Sequence, residues 1–371
     1  MSNMSKKSKL NEYLTQIKNI DADAVAKARA RLESLAKPPG SLGVLEDIAA
    51  ALAGIGGKMF YDAGRRCVII MSSDNGVVDE GVASAPQVVT YAQTINFTRG
   101  ITGVAAIAKQ FNTDLIIVDV GVNADVDHPQ VINRKIRKST WNMAKQDAMT
   151  YEEAVQAILI GIETAAEAVK NGYTLLGAGE MGIGNTTTSS AVLHALTGLP
   201  AEQLTGKGAG LKEEAYLRKI EVVKTAVENN NPDLADPIDI LAKVGGFDIA
   251  AMAGVFLGGA YMGVPVVIDG FISIVAALAA SRLCPAAKEY MIASHASFEP
   301  GFVHAAKALG VEPCLHLNMR LGEGSGCPIM FAVIDAACSM MRNMGTFEQA
   351  NIGDDYLDEI KEGDNFTVRR E

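Results

Sequence analysis

The segment Leu321-Gly-Glu-Gly-Ser-Gly326 sets one carboxylate, Glu323, among three glycines, between an apolar run and a helical stretch. Glycines let backbone crowd a ligand while a single carboxylate points at it. Partial burial would raise its pKa towards the range useful to a general base. Glu323 is therefore the expected key catalytic residue of an enzyme acting on a phosphorylated small molecule, although the motif alone equally fits an exposed turn glutamate. A second segment, Gly177-Ala-Gly-Glu-Met-Gly182, formally matches the dinucleotide fingerprint. Glu180 inside it would repel a pyrophosphate, and the ribose-binding acid expected about 20 residues on is missing. Gly182 and Asn185 leading into Thr186 at a helix start still suit a phosphate; a plain strand–helix turn capped by Asn185 is the other reading. Thr205-Gly-Lys-Gly-Ala-Gly210 fails the P-loop spacing. Around Gly208 it reads either as a nest for one phosphate or as a flexible loop.

Two further patterns exclude chemistry. Asp119-Val-Gly121 lacks the paired acids of Mg-dependent diphosphate-sugar transferases. His295, His304 and Glu299 lack HExxH spacing, so no metal site is expected and His295 reads as a hydrogen-bonding group at a strand end.

These residues need elements to hold them. Six apolar runs read as strands: 67–71, 115–120, 173–177, 264–268, 290–293 and 314–318. Helical periodicity covers 44–53, 86–110, 151–170, 186–197, 212–229, 246–260, 271–283, 301–309 and 328–343. Strands apolar on both faces, alternating with helices, predict an α/β fold with a mostly parallel, doubly wound, Rossmann-like sheet. Each strand runs into a polar, glycine-containing loop, among them Ser294–Gly301 with Ser297, a candidate substrate contact. Six such loops on the carboxyl edge of one sheet predict a ligand site there. Residues 36–340 are expected to form the catalytic body; 1–35 and 341–371, more polar and helical, form a small helical domain or dimer arm whose tail is loose at its end.

The 371 residues are 49% hydrophobic and carry a net charge of −10. That length fits one large domain with a well-buried core, and the charge argues against nucleic acid. Five cysteines without regular spacing read as buried thiols in a reducing compartment. The N-terminus has no signal-peptide core. Residues 249–268 are uncharged and long enough to span a bilayer, but Gly263-Val-Pro265 and the flanking Asp248 and Asp269 favour a buried helix running into a buried strand. A cytoplasmic protein is expected.

The ordered motifs resemble one family over nearly the whole chain. They are Lys37-Pro-Pro-Gly-Ser-Leu-Gly43, Asp79-Glu-Gly81, Thr98-Arg-Gly100, Thr102-Gly103, Asp119-Val-Gly121, Gly179-Glu180, Asn185-Thr-Thr187, Lys243-Val-Gly-Gly-Phe-Asp248, Asp269-Gly-Phe271, Ser294-His295, Arg320–Gly326 and Asn343-Met-Gly345. The chain resembles the nicotinate-nucleotide–dimethylbenzimidazole phosphoribosyltransferases, which activate the lower-ligand base of cobamides. The resemblance implies transfer of phosphoribose from nicotinate mononucleotide to a base, with Glu323 as proton acceptor, no cofactor, and a dimer of sheet-plus-helical-domain subunits. It also implies that Glu180 and Lys219 matter for activity and that Gln93 lines the base pocket. Two positions depart from the common pattern: Asn75 stands where many relatives have histidine, and Ala85 where a serine often precedes the proline. Some members activate phenol or p-cresol and resemble a heterodimer with a paralogous subunit, so a phenolic acceptor and either a homodimer or a heterodimer stay open. The competing readings are an NAD(P)-dependent oxidoreductase, resting on residues 177–182, and a non-catalytic paralogous partner subunit.

Overall fold

Long apolar runs free of charge can be buried on both faces, and the central strands of this protein are. The computed structural model describes residues 5–354 and Leu357. The chain runs α1 (Lys6–Gln16), α2 (Ala22–Ser34), α3 (Val44–Gly56), β1 (Arg65–Ser73), α4 (Val88–Thr98), α5 (Gly103–Gln110), β2 (Asp114–Gly121) and β3 (Val131–Asn133). It continues through α6 (Tyr151–Lys170), β4 (Tyr173–Met181), α7 (Asn185–Thr197), α8 (Ala201–Leu204), α9 (Glu213–Asn230), α10 (Pro237–Val244) and α11 (Phe247–Met262). Last come β5 (Val266–Ile268), α12 (Phe271–Leu283), β6 (Met291–Ala293), α13 (Gly301–Leu309), α14 (Gly326–Asn343) and α15 (Phe347–Ala350). The sheet order is β3-β2-β1-β4-β5-β6, and every pairing is parallel. This is the doubly wound α/β architecture expected from the sequence.

Three local expectations need correction. Residues 314–318 form no strand; Leu315 makes a single parallel bridge to His295, because the run has too few ladder partners to extend. The edge strand β3 was not expected, being three residues long with two of them exposed. The periodic stretch 86–110 is two helices, since Gly100 turns left-handed (φ 71°) and Thr102 caps a new helix by accepting from the Ala105 N–H. Residues 249–268 form α11 and β5, both buried, and among the described residues no helix is long and apolar enough to cross a membrane.

By compactness the chain divides into residues up to 19 with 64–331, and 20–63 with the chain from 332. These boundaries differ from 36–340. Helix α1 joins the sheet-bearing unit because Leu10 is buried and Lys9 pairs with Glu163 on α6 at 2.5 Å. Within that unit α6 and α11 pack backbone to backbone: a Cβ on Gly161 would collide with the Ala251 carbonyl, and one on Gly258 would lie 2.8 Å from the Ile162 carbonyl. In the other unit α2 packs on α3, Leu35 bridges to Thr346, and Lys37 of the Lys-Pro-Pro-Gly motif makes a buried ion pair with Glu46 at 2.8 Å. The expectation of a loose tail lies outside the described residues.

Candidate active site

In a doubly wound sheet the crevice opens where strand order reverses, here between β1 and β4. A cavity of about 280 Å³ lies at that edge, within the sheet-bearing unit. All the residues singled out as a site border it. Ala85, Gln93 and Glu323 lie with Val82, Val89 and Leu321; Gly182, Asn185, Thr186, Gly208, Lys219 and Ser297 also contribute, with Glu180 between α7 and Glu323. Asn75 does not: it is wholly buried, packed against Gly182 and Gly246. Of the two departures from the family pattern, only Ala85 lines the cavity.

Glu323 is not an exposed turn residue. Gly322, Glu323 and Gly324 are all left-handed, at φ 82°, 64° and 82°. The two glycines adopt that conformation freely, whereas the glutamate does so against its preference. Its Oε2 accepts the Val104 N–H (3.0 Å) in the first turn of α5, and Oε1 accepts the Gln93 amide (3.3 Å). Burial pushes its pKa up, with those two hydrogen bonds opposing and the nearby Asp269 charge adding to the rise. A buried carboxylate whose pKa is raised suits a general base.

Strand β4 explains how this turn is seated. A Cβ at Gly179 would lie 2.6 Å from the Glu323 carbonyl, and one at Gly177 would lie 2.6 Å from Cys327 Cβ. The first two fingerprint glycines, Gly177 and Gly179, thus admit the Glu323 turn and the start of α14, so what seats against them is the protein's own chain. Glu180 Oε1 accepts the Glu323 N–H at 3.2 Å, and its Oε2 accepts the Asn185 amide. Burial, then the Asp248 charge, pushes Glu180 up to about 8. It is therefore largely neutral at pH 7, so the charge repulsion argued from sequence does not hold; the seat being filled is the stronger exclusion. Asp248, wholly buried on α11, is itself pushed up to about 7, chiefly by burial.

Lys219 reaches the cavity from α9. It is fully buried, and its Nζ donates to Thr186 Oγ1 (2.8 Å) and to the Gly206 carbonyl (2.9 Å). Burial lowers its pKa to about 8 while Glu299 works the other way, so it stays cationic at neutral pH. Gly208 (φ 56°) turns next to it, where a Cβ would come within 3.1 Å of Thr186 Oγ1. The α7 N-terminus, the glycine turn and one cation thus converge, as an anion site requires. His295 sits as expected at a strand end, its Nδ1 3.0 Å from Ser294 Oγ. Among the described residues no group of three or more histidines, cysteines or acids is arranged to hold a metal ion.

Sequence reasoning missed Asp248 and Asp269 as site-building residues. Asp269 and Asp248 were visible only within the family motifs Asp269-Gly-Phe271 and Lys243–Asp248; neither local pattern announces a partner.

A parallel doubly wound sheet with a cationic, glycine-turned cradle and buried acids, Glu323 among them, on one cavity suits group transfer to or from a phosphorylated ligand, and the comparisons agree. A family model described as Phosphoribosyltransferase matches residues 17–352. The nicotinate-nucleotide–dimethylbenzimidazole phosphoribosyltransferase of Clostridium perfringens (strain ATCC 13124) is 56% identical over 359 residues, 97% of this chain and 99% of the relative. The enzyme of that name from Acetivibrio thermocellus is 51% identical over 343 residues, 92% of this chain and 98% of the relative. A solved structure, CobT from Thermus thermophilus, superposes with a TM-score of 0.86 at 40% identity, covering 90% of this chain and 99% of that one. The chain belongs to the nicotinate-nucleotide–dimethylbenzimidazole phosphoribosyltransferase family.

Proposed function

We propose that this chain transfers phosphoribose from nicotinate mononucleotide to dimethylbenzimidazole, releasing nicotinate and an α-ribazole phosphate. The observation that carries the reading is the buried, proton-attracting Glu323 carboxylate on the same cavity as the Lys219–α7 anion cradle. The phosphate sits on the backbone of Gly182–Thr186 and Gly208 with Lys219 as counter-charge, and Ser297 contacts the substrate. Ala85 and Gln93 border the base. The C1′–N bond to the positively charged pyridinium breaks, and its electron pair returns to the ring nitrogen as nicotinate leaves. The sugar passes through an oxocarbenium-like state, and a nitrogen lone pair of the incoming base forms the new bond. The proton on that base passes to Glu323, directly or through a water. Glu180, largely neutral, supports the turn without repelling the anionic substrate.

A phenol or p-cresol acceptor is the second reading. Val82, Ala83, Ala85, Val89 and Leu321 make one part of the cavity apolar, which suits an acceptor with a single polar atom. The filled seat over β4 leaves the oxidoreductase reading without support. The presence of Glu323, Glu180 and Lys219 on one cavity speaks for an active subunit rather than a silent paralogue.

The test is Glu323→Gln, which keeps shape and removes the base. Turnover should fall by roughly 10²–10⁴-fold; a variant with wild-type turnover overturns the mechanism. A panel of acceptors run with the wild-type protein decides the base, and a clear preference for p-cresol over dimethylbenzimidazole moves the assignment to the phenolic reading.

A further inference from the structure

Glu323 cannot hold its left-handed conformation unaided, and the groups that hold it come from far away in the sequence. Asp269, just beyond the carboxyl end of β5, is 2% exposed. Its Oδ2 accepts the Gly324 N–H at 3.1 Å and its Oδ1 accepts the Gly326 N–H at 2.6 Å. The Asp269 N–H donates to Ser273 Oγ (3.1 Å), whose hydroxyl in turn donates to the Ala178 carbonyl of β4 (3.1 Å). The Asp269 backbone is thus tied to the sheet while its carboxylate grips the turn. A Cβ at Gly326 would meet Asp269 Oδ1 at 2.9 Å, so this glycine is what allows the grip.

We infer that Asp269 is a positioning residue of the transfer reaction: by binding the Gly324 and Gly326 N–H groups, it fixes the direction in which Glu323 presents its carboxylate to the acceptor. The inference rests on the reading of Glu323 as the proton acceptor. Both Asp269 oxygens must accept, so the grip needs the ionised form. That negative charge also faces Glu323 and Glu180 and makes each of them bind its proton more tightly. The other groups facing Glu323 are the Gln93 amide from α4 and the N–H groups of Gly103 and Val104 at the start of α5. His295 faces Asp269 itself, with Nδ1 3.9 Å from Oδ1.

Asp269→Asn preserves size but leaves one oxygen to accept, while the amide NH₂ faces a second donor. A displacement of about 1 Å in a reacting group can cost about 100-fold. In the full chain, with nicotinate mononucleotide and dimethylbenzimidazole, kcat should fall about 10–100-fold. KM for the mononucleotide should stay within about threefold, because the Lys219–α7 cradle is untouched. Removing the charge lets Glu323 ionise more easily, so the acidic limb of kcat/KM should move to lower pH. Amide hydrogen exchange at Gly324 and Gly326 should lose its protection. Wild-type kcat with an unmoved acidic limb overturns the inference, as does a lower kcat without a limb shift, which marks a merely structural role. If the variant does not fold, the wild-type protein decides: Gly324 and Gly326 amides exchanging as fast as in an unstructured chain overturn it. Glu323→Gln, run alongside, separates the two readings, since wild-type turnover there removes the base assignment while leaving the exchange result to judge the grip.

Discussion

Glu180 and Asp248 are buried acids close enough to feel each other's charge, and their protonation follows from where they are. Asp248 is wholly buried and pushed up to about 7, above its ordinary 3.8. A carboxyl whose folded pKa is raised stabilises the fold fully below about pH 4, and that contribution is lost as pH climbs to about 7. The loss runs at up to about 1.4 kcal/mol per pH unit. Asp248→Asn has no such proton to lose and also removes a charge that pushes Glu180 up. Urea unfolding should therefore show the variant gaining on the wild-type protein between pH 4 and pH 7, with the gain then levelling off. An equal difference at pH 4.5 and pH 7.5 would mean that Asp248 carries no shifted proton. At this scale the sequence singled out Glu323, Glu180 and Lys219, which line one cavity, but took Glu180 as charged where burial raises its pKa to about 8. Burial is a property of packing, and no run of neighbouring residues states it.

At the scale of elements, the close approach of α6 and α11 depends on glycine. Gly161 faces the Ala251 carbonyl and Gly254 faces the Ile158 carbonyl, each with no room for a Cβ. Gly161→Val should thus push the helices apart and destabilise the protein by about 3 kcal/mol or more. The urea midpoint measures this, and a midpoint within experimental error of wild type rules out the close contact. The alternation of strands and helices was legible because apolar runs and 3.6-residue periodicity are local signals. The failed strand at 314–318 and the unexpected β3 show the other side. Whether a short apolar run joins a sheet depends on an edge with free ladder positions, which only the assembled sheet provides. The glycines of 177–182 were legible as a close approach, yet what approaches is the protein's own Glu323 turn rather than a pyrophosphate.

For the whole molecule, a net charge of −10 leaves an anionic substrate to be met by local devices. Lys219 and the α7 N-terminus, which meet at Thr186, are the devices we propose. The dimer implied by the family resemblance should appear in light scattering as a particle of twice the 39.1 kDa chain mass. A particle of single-chain mass at micromolar concentration would set that assembly aside. If the second subunit is a different paralogous chain, the purified polypeptide alone should be monomeric or poorly active until its partner is added.

By itself the sequence determined the α/β class and pointed to the carboxyl edge of the sheet and to Glu323 with its companions as the proposed site, because strand pattern, glycine turns and ordered motifs are written in neighbouring residues. Tertiary structure alone decided that Glu323 is left-handed and buried, that Glu180 and Asp248 hold protons near neutrality, and that Asp269 grips a turn 55 residues further along the chain. The reason is physical: hydrogen bonds across a fold and the loss of water around a charge exist only once distant segments are packed together.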